Sequence, residues 1–184
     1  MANNAKNAST GKPKVGGAIF VAPANTALPT DASSELAAAY KCLGYIGEDG
    51  VTNNDSYGVG EVKAWGGDTV LNYTESHTDT FGCKLLEVLS IDVLKAVYGD
   101  SNVSGDLTTG ITVKSNATEK PYLVWVFEMV LTEGAIKRIV IPSGKVNELG
   151  EIKYADNEAI GYDVTIGTVP DTNGNTHYEY ILKA

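Results

Sequence analysis

The 184-residue chain carries 14 lysines and arginines against 23 aspartates and glutamates, a net charge of −9, and 43% of its residues are hydrophobic. That is one domain's worth of chain with enough apolar side chains to bury a core. A chain this acidic does not grip phosphate, which excludes tight or sequence-specific nucleic-acid binding, and no apolar run approaches the roughly 20 residues of a membrane-spanning helix.

Residues 1–14 hold Lys6, Lys12 and Lys14 and no acid, leaving the other residues at about −12. With no hydrophobic periodicity this segment reads as a flexible N-terminal arm, disordered in the free monomer. It is either a bare tail or an arm that orders on an acidic partner surface. The absence of an apolar stretch near the start leads us to expect a protein made and kept in a cytosol, or leaving it inside a larger particle. Residues 15–184 then form a single domain.

Residues 15–21 read as a strand and 23–29 as a loop. Asp31 and Ser33 offer caps to a short Ala-rich helix over 34–40. Residues 41–52 begin as a strand and break at Glu48-Asp49-Gly50. Residues 53–67 read as a long polar loop ending in Gly66-Gly67, and its large rings, Tyr57 and Trp65, either meet a partner surface or fold back on the core. Residues 69–74 and 80–89 read as a hairpin about 75–79. Ser90 caps a helix over 91–98, with Ile91, Leu94, Val97 and Tyr98 on one side and Gly99 as its stop.

Beyond residue 107 the pattern is β. Residues 122–131 are apolar on both faces, which predicts a strand covered on both sides. Residues 135–141 follow across Glu133-Gly134, with Pro142 as the expected stop. Residues 145–154 and 159–167 form a pair, the second alternating Ile160, Tyr162, Val164 and Ile166 with small or polar residues. Asn173-Gly174 is a type I′ signal, and 177–182 are the last strand. The sum is a mainly β domain of two packed antiparallel sheets, a sandwich or partly closed barrel, with one flanking helix.

Little in the sequence points to catalysis. The two histidines, His77 and His177, sit in polar contexts, and no nucleophile elbow or phosphate-binding glycine loop is present. Glu48-Asp49 are adjacent on a strand and so point to opposite faces. Residues 171–175 resemble a calcium loop but lack its bidentate Glu and flanking helices. Cys42 and Cys83 have no metal-ligand spacing and are expected to be buried, reduced thiols. No catalytic residue, cofactor or metal is expected.

Many small motifs occur in order: GKPKVGGAIFVAP at 11–23, LPTD at 28–31, CLGYIGEDGV at 42–51, KAWGGDTVL at 63–71, IDVLKAVYGD at 91–100, KRIVIP at 137–142 and GNTHYEYI at 174–181. Together they resemble the major tail (tail tube) protein of long, non-contractile-tailed phages of Gram-positive bacteria, along almost the whole chain. The resemblance implies a tail-tube fold and hexameric rings, stacked in a virion tail assembled in the host cytoplasm. It further implies a channel occupied by the tape-measure protein and then by DNA, with tail-end proteins as further partners and no membrane. The expected subunit interface is Lys6, Lys12, Lys14, Tyr57 and Trp65. An immunoglobulin-like adhesin or capsid-decoration module, and a small β enzyme, are the alternatives. The few cations further lead us to expect a net negative channel wall. Lys84, Lys145 and Lys153 would then be paired with acids such as Glu87, Glu148 or Glu151, or turned outward.

Overall fold

The computed structural model describes residues 3–183. The chain is mainly β, as expected, with one α-helix. Its strands are β1 (Gly11–Pro13), β2 (Ile19–Pro23), β3 (Lys41–Cys42), β4 (Ile46–Lys63), β5 (Thr69–Leu85), β6 (Val103–Ser104), β7 (Thr112–Val113), β8 (Leu123–Leu131), β9 (Ile136–Leu149), β10 (Tyr162–Thr168) and β11 (Tyr178–Leu182), with α1 (Ile91–Tyr98) between β5 and β6. Nine strands form one antiparallel sheet ordered β3-β2-β8-β9-β10-β5-β4. β1 continues the line of β2 along β8, and β11 continues the line of β10 along β9. β6 and β7 form a separate two-stranded sheet.

This large sheet curls without closing. Phe81 of β5 and Phe127 of β8 are three strand positions apart in the sheet, which on a flat sheet is about 14 Å across the strands. Their ring centroids are 5.6 Å apart. The concave face therefore converges on one core, which takes Ile19, Phe81, Leu85, Trp125, Ile141, Val164 and Ile166 from five strands spread across the sheet. Two layers thus come from one continuous hydrogen-bond ladder bent over on itself.

β8 sits at the centre and is covered on both sides, as its two apolar faces predict. Trp125 and Phe127 enter the concave core, while Val124 and Val126 face a second cluster with Ala22, Tyr40 and Val140. That second cluster is roofed by chain between β2 and β3, with Leu28 and Leu36 packed against it. No helix forms there: Asp31 caps the backbone N–H groups of Ser33 and Ser34, each at 2.6 Å, but the segment continues as bends and turns. The Ala-rich composition is overridden because this stretch must lie flat as a lid over the sheet.

β9 runs through Pro142 to Leu149 instead of stopping. The proline is tolerated because the β8–β9 register slips there: Trp125 pairs with Ile141 but Leu123 with Gly144. The irregularity is locked by the buried Trp125, whose indole N–H donates to the Gly144 carbonyl at 3.0 Å. β10 buries Tyr162, Val164 and Ile166 as the alternation predicts. The following turn is not of type I′, which needs positive φ at both central residues. Gly174 has φ +82°, but Asn173 is not among the positive-φ residues. Instead of reversing the chain into a hairpin, it lets β11 resume along the same edge of β9.

α1 forms where its stripe places it; Ser90 holds the N-cap position without a side-chain capping hydrogen bond, and Gly99 with φ +91° ends the helix. The buried face is wider than the predicted stripe: Val93, Leu94, Ala96 and Val97 all enter the main core. The helix therefore plugs the concave side of the curl rather than lying outside it. Lys95 stays at the surface and pairs with Asp100 at 2.7 Å. Leu94→Ala is expected to lower stability by about 2–5 kcal/mol, the range for a buried Leu truncation that leaves a cavity. An unchanged denaturation midpoint would contradict this packing.

Candidate assembly surface

Residues 53–67, expected to be a loop, are mostly strand. β4 and β5 pair from Ile46 with Leu85 to Lys63 with Thr69, making a two-stranded ribbon that runs on beyond the rest of the sheet. The predicted hairpin about 75–79 is likewise absent, because β5 runs unbroken from Thr69 to Leu85. The turn lies at the far end, where the Ala64 N–H donates to the Asp68 carbonyl and the Gly67 N–H to the Ala64 carbonyl. Gly66 and Gly67 supply the positive φ values of +117° and +101° that this turn needs.

Polar residues hold the ribbon together where Asn, Ser and Gly read as breakers. The Asn53 side chain donates to Asp79 at 2.7 Å and to the Thr80 carbonyl at 3.2 Å. Tyr57 and His77 are register partners and stack at 4.5 Å, and His77 bonds Asp55 at 2.5 Å. Gly60 lies beneath the ring of its partner Tyr73, which leaves no room for a side chain there.

Beyond the root the ribbon is bare on both faces. From Thr69 to Thr78 every residue of β5 is exposed. Tyr57, Val59, Val62, Val70, Leu71 and Tyr73 all expose large apolar side chains, and Trp65 at the tip is 106% exposed. Strand alternation puts Tyr57 and Val59 on the face continuous with the core, and Val62, Leu71 and Tyr73 on the other. An isolated ribbon is marginal in water, and contiguous exposed apolar surface marks an interaction site.

The root is anchored by Asp79, which is 2% exposed. His177 Nδ1–H donates to its Oδ2 at 2.6 Å, and the His177 ring meets Phe81 edge-on at 5.3 Å. Burial alone would raise the Asp79 pKa. The hydrogen bonds from Thr176, His177 and Asn53 outweigh it and hold the carboxyl below its ordinary value. A depressed folded pKa stabilises above the unfolded value near 3.9 and is lost as pH falls through the folded one. Thermal melts below about pH 4 should therefore fall more steeply for the wild type than for Asp79→Asn, whose own deficit is largest at neutral pH. Parallel pH profiles would rule this out.

The basic arm is ordered within its own subunit rather than free. β1 pairs Gly11, Lys12 and Pro13 with Leu131, Val130 and Met129. The Thr10 N–H donates to Thr132 Oγ1 and the Thr132 N–H to Ser9 Oγ. Met1 and Ala2 of the arm lie outside the described residues. The unpaired edge of β8 beyond β2 supplied the pairing surface that composition alone did not reveal. Lys14 bonds Glu128 at 2.6 Å, whereas Lys6 and Lys12 are exposed.

Glu128 belongs to the second network that sequence reasoning missed. Arg138, its register partner on β9, is 1% exposed and grips the carboxylate through Nε at 2.8 Å and through Nη2. Its remaining donors reach the Asp31 carbonyl at 2.8 Å and the Ser34 carbonyl at 2.7 Å, pinning the roof over β8 and β9. Arg138 thus has no fork left for phosphate. Lys145 pairs with Glu119, and Lys153, which lies in the loop after β9 rather than in the expected strand over 145–154, pairs with Glu158. These are acids other than the three expected, while the Lys84 stem lies over Gly47 and Gly161.

Cys83 is buried, which pushes its thiol up to about 12, but Cys42 is exposed, contrary to expectation, because β3 is a two-residue edge strand. Among the described residues no three His, Cys, Asp or Glu side chains converge as metal ligands, and no helix is long and apolar enough to cross a membrane.

No curated protein matches the chain at a significant level. A family model described as "Phage tail tube protein" matches residues 1–184, the entire sequence. That places the chain among structural components of the virion tail that self-assemble into a tube, and does not favour an adhesin or decoration module. The chain belongs to the phage tail tube protein family.

Proposed function

We propose that copies of this chain close into hexameric rings and that the rings stack into the tube of a long, non-contractile tail, as in phages of Gram-positive hosts. Assembly takes place in the host cytoplasm, around the tape-measure protein, with tail-end proteins closing the two ends. DNA then passes through the lumen without specific binding, and the subunit does no chemistry. The ribbon carries this reading: a protein that stayed monomeric would leave seven large apolar side chains in water on one hairpin. Tyr57 and Trp65 are interface residues by this account, and the exposed Lys6 and Lys12 face acidic groups of an adjacent copy.

The charge balance supports a conduit. With a net charge of −9, and with eight of the fourteen cations, Arg138, Lys145 and Lys153 among them, paired with acids, few cations remain to line a channel. An acidic wall repels the phosphate backbone instead of accumulating counterion-releasing contacts. Negative-stain microscopy of the concentrated protein should show tubes with six-fold end views, and the tubes should not retain free DNA at physiological salt. Monomers or trimers at high concentration would instead support a decoration module.

A further inference from the structure

We infer that the Trp65 side chain at the ribbon tip of one copy docks in the cleft between residues 13–18 and 42–46 of the next. This rests on the stacking reading above and names the receptor for its most exposed side chain. The cleft has a volume of about 500 Å³, ample for one indole. Val15, Gly16, Gly17, Cys42, Tyr45 and Ile46 form its walls. Val15 and Tyr45 stand 98% and 77% exposed at its rim, so the cleft, like the tip, is an apolar surface without a cover. Gly17 is packed against Cys42 Sγ and Phe20, where a side chain would collide at 2.7 Å, and the space beside Gly16 is open to an incoming ring.

The rim also offers an acceptor. Glu87 Oε1 takes the Tyr45 N–H at 3.1 Å, which leaves Oε2 for an indole N–H. Another cleft, beside β2 and α1, carries Lys41, Asp92, Lys95 and Asp100 beside its apolar wall.

Position makes a second copy the occupant. Ile46 opens β4 and, with Tyr45 just before it, lines the cleft, while Trp65 follows the end of the same strand. An 18-residue strand separates them, about 55 Å when extended, so a tip cannot reach its own cleft. Two complementary surfaces at opposite ends of one molecule make a heterologous contact that does not close on itself and so propagates along a line. A stacked tube needs a contact of that kind.

Cys42 lines the cleft and is exposed, and the other thiol, Cys83, is buried, which gives a direct test. In assembled wild-type tubes, alkylation of Cys42 should slow by at least about tenfold relative to the monomer, and Trp65 fluorescence should shift to the blue. Trp65→Cys doped as a minority into wild-type tubes should, on mild oxidation, form a disulfide between Cys42 of one copy and the new cysteine of another. Cys42→Ser should abolish it. Tubes in which Cys42 stays as reactive as in the monomer, or which yield no such disulfide, would overturn the docking while leaving stacking intact. A protected Cys42 with a still-exposed Trp65 would also overturn it, by placing another segment in the cleft. Failure of the wild type to form tubes would sink the stacking reading itself.

Discussion

Arg138→Ala is expected to destabilise the subunit by about 3–5 kcal/mol, because it strands the buried Glu128 carboxylate. Glu128 is 5% exposed and depends on Arg138 for its closest bonds, with only the half-exposed Lys14 as a second cation. Two carbonyls of the 31–34 segment lose their donor in the same step. Arg138→Lys should recover little, since one ammonium cannot serve a carboxylate and two carbonyls in a planar fork. The double variant Arg138→Met, Glu128→Leu should be markedly milder than Arg138→Ala, because replacing both charges removes the desolvation cost along with the attraction. Chemical denaturation of the three variants measures the difference. A single variant within about 1 kcal/mol of wild type would show that the pair is solvated rather than buried.

The parts of the fold that were legible in the sequence are those whose pattern is set by their own subunit. The two-faced run at β8, the alternation of β10 and the apolar stripe of α1 each reflect burial against neighbours in the same chain. The roof over β8 was not legible. Its order comes from Arg138 reaching more than a hundred residues back to Asp31 and Ser34, a contact fixed by register and curl. The ribbon was misread for a different reason. Its exposed strands carry Asn, Ser and Gly where a buried strand would carry Val or Ile, so the propensity signal is weak. Its apolar residues sit on both faces, with no alternation against a core in the same chain. The arm's pairing was hidden likewise, since the edge it joins is created by β2 stopping short along β8. Tyr57 and Trp65 could be found as exposed rings, but Val59, Val62, Leu71 and Tyr73 become a surface only once the pairing register is known.

That register yields the second large effect, which is on assembly rather than folding. Val62→Thr with Leu71→Thr replaces a cross-strand pair on one ribbon face with residues that keep β propensity and add no charge. Tyr57→Thr with Val59→Thr replaces two neighbours of β4 on the other face. All four side chains are exposed, so the Val62/Leu71 variant should melt close to wild type, as surface substitutions do, and the Tyr57/Val59 variant should lose only the stack of Tyr57 on His77. If the ribbon is buried between copies, each truncation removes about 1.5–3 kcal/mol of apolar burial per contact. Two truncations then raise the concentration needed for tubes by roughly a hundredfold or more. Sedimentation across a dilution series reads that threshold, and microscopy confirms what pellets. The faces are separable: a variant that assembles normally identifies the face left to solvent or lumen, and the one that fails identifies the face packed on the neighbour. If both pairs of substitutions left the threshold unchanged, the ribbon would have no part in holding the tube together.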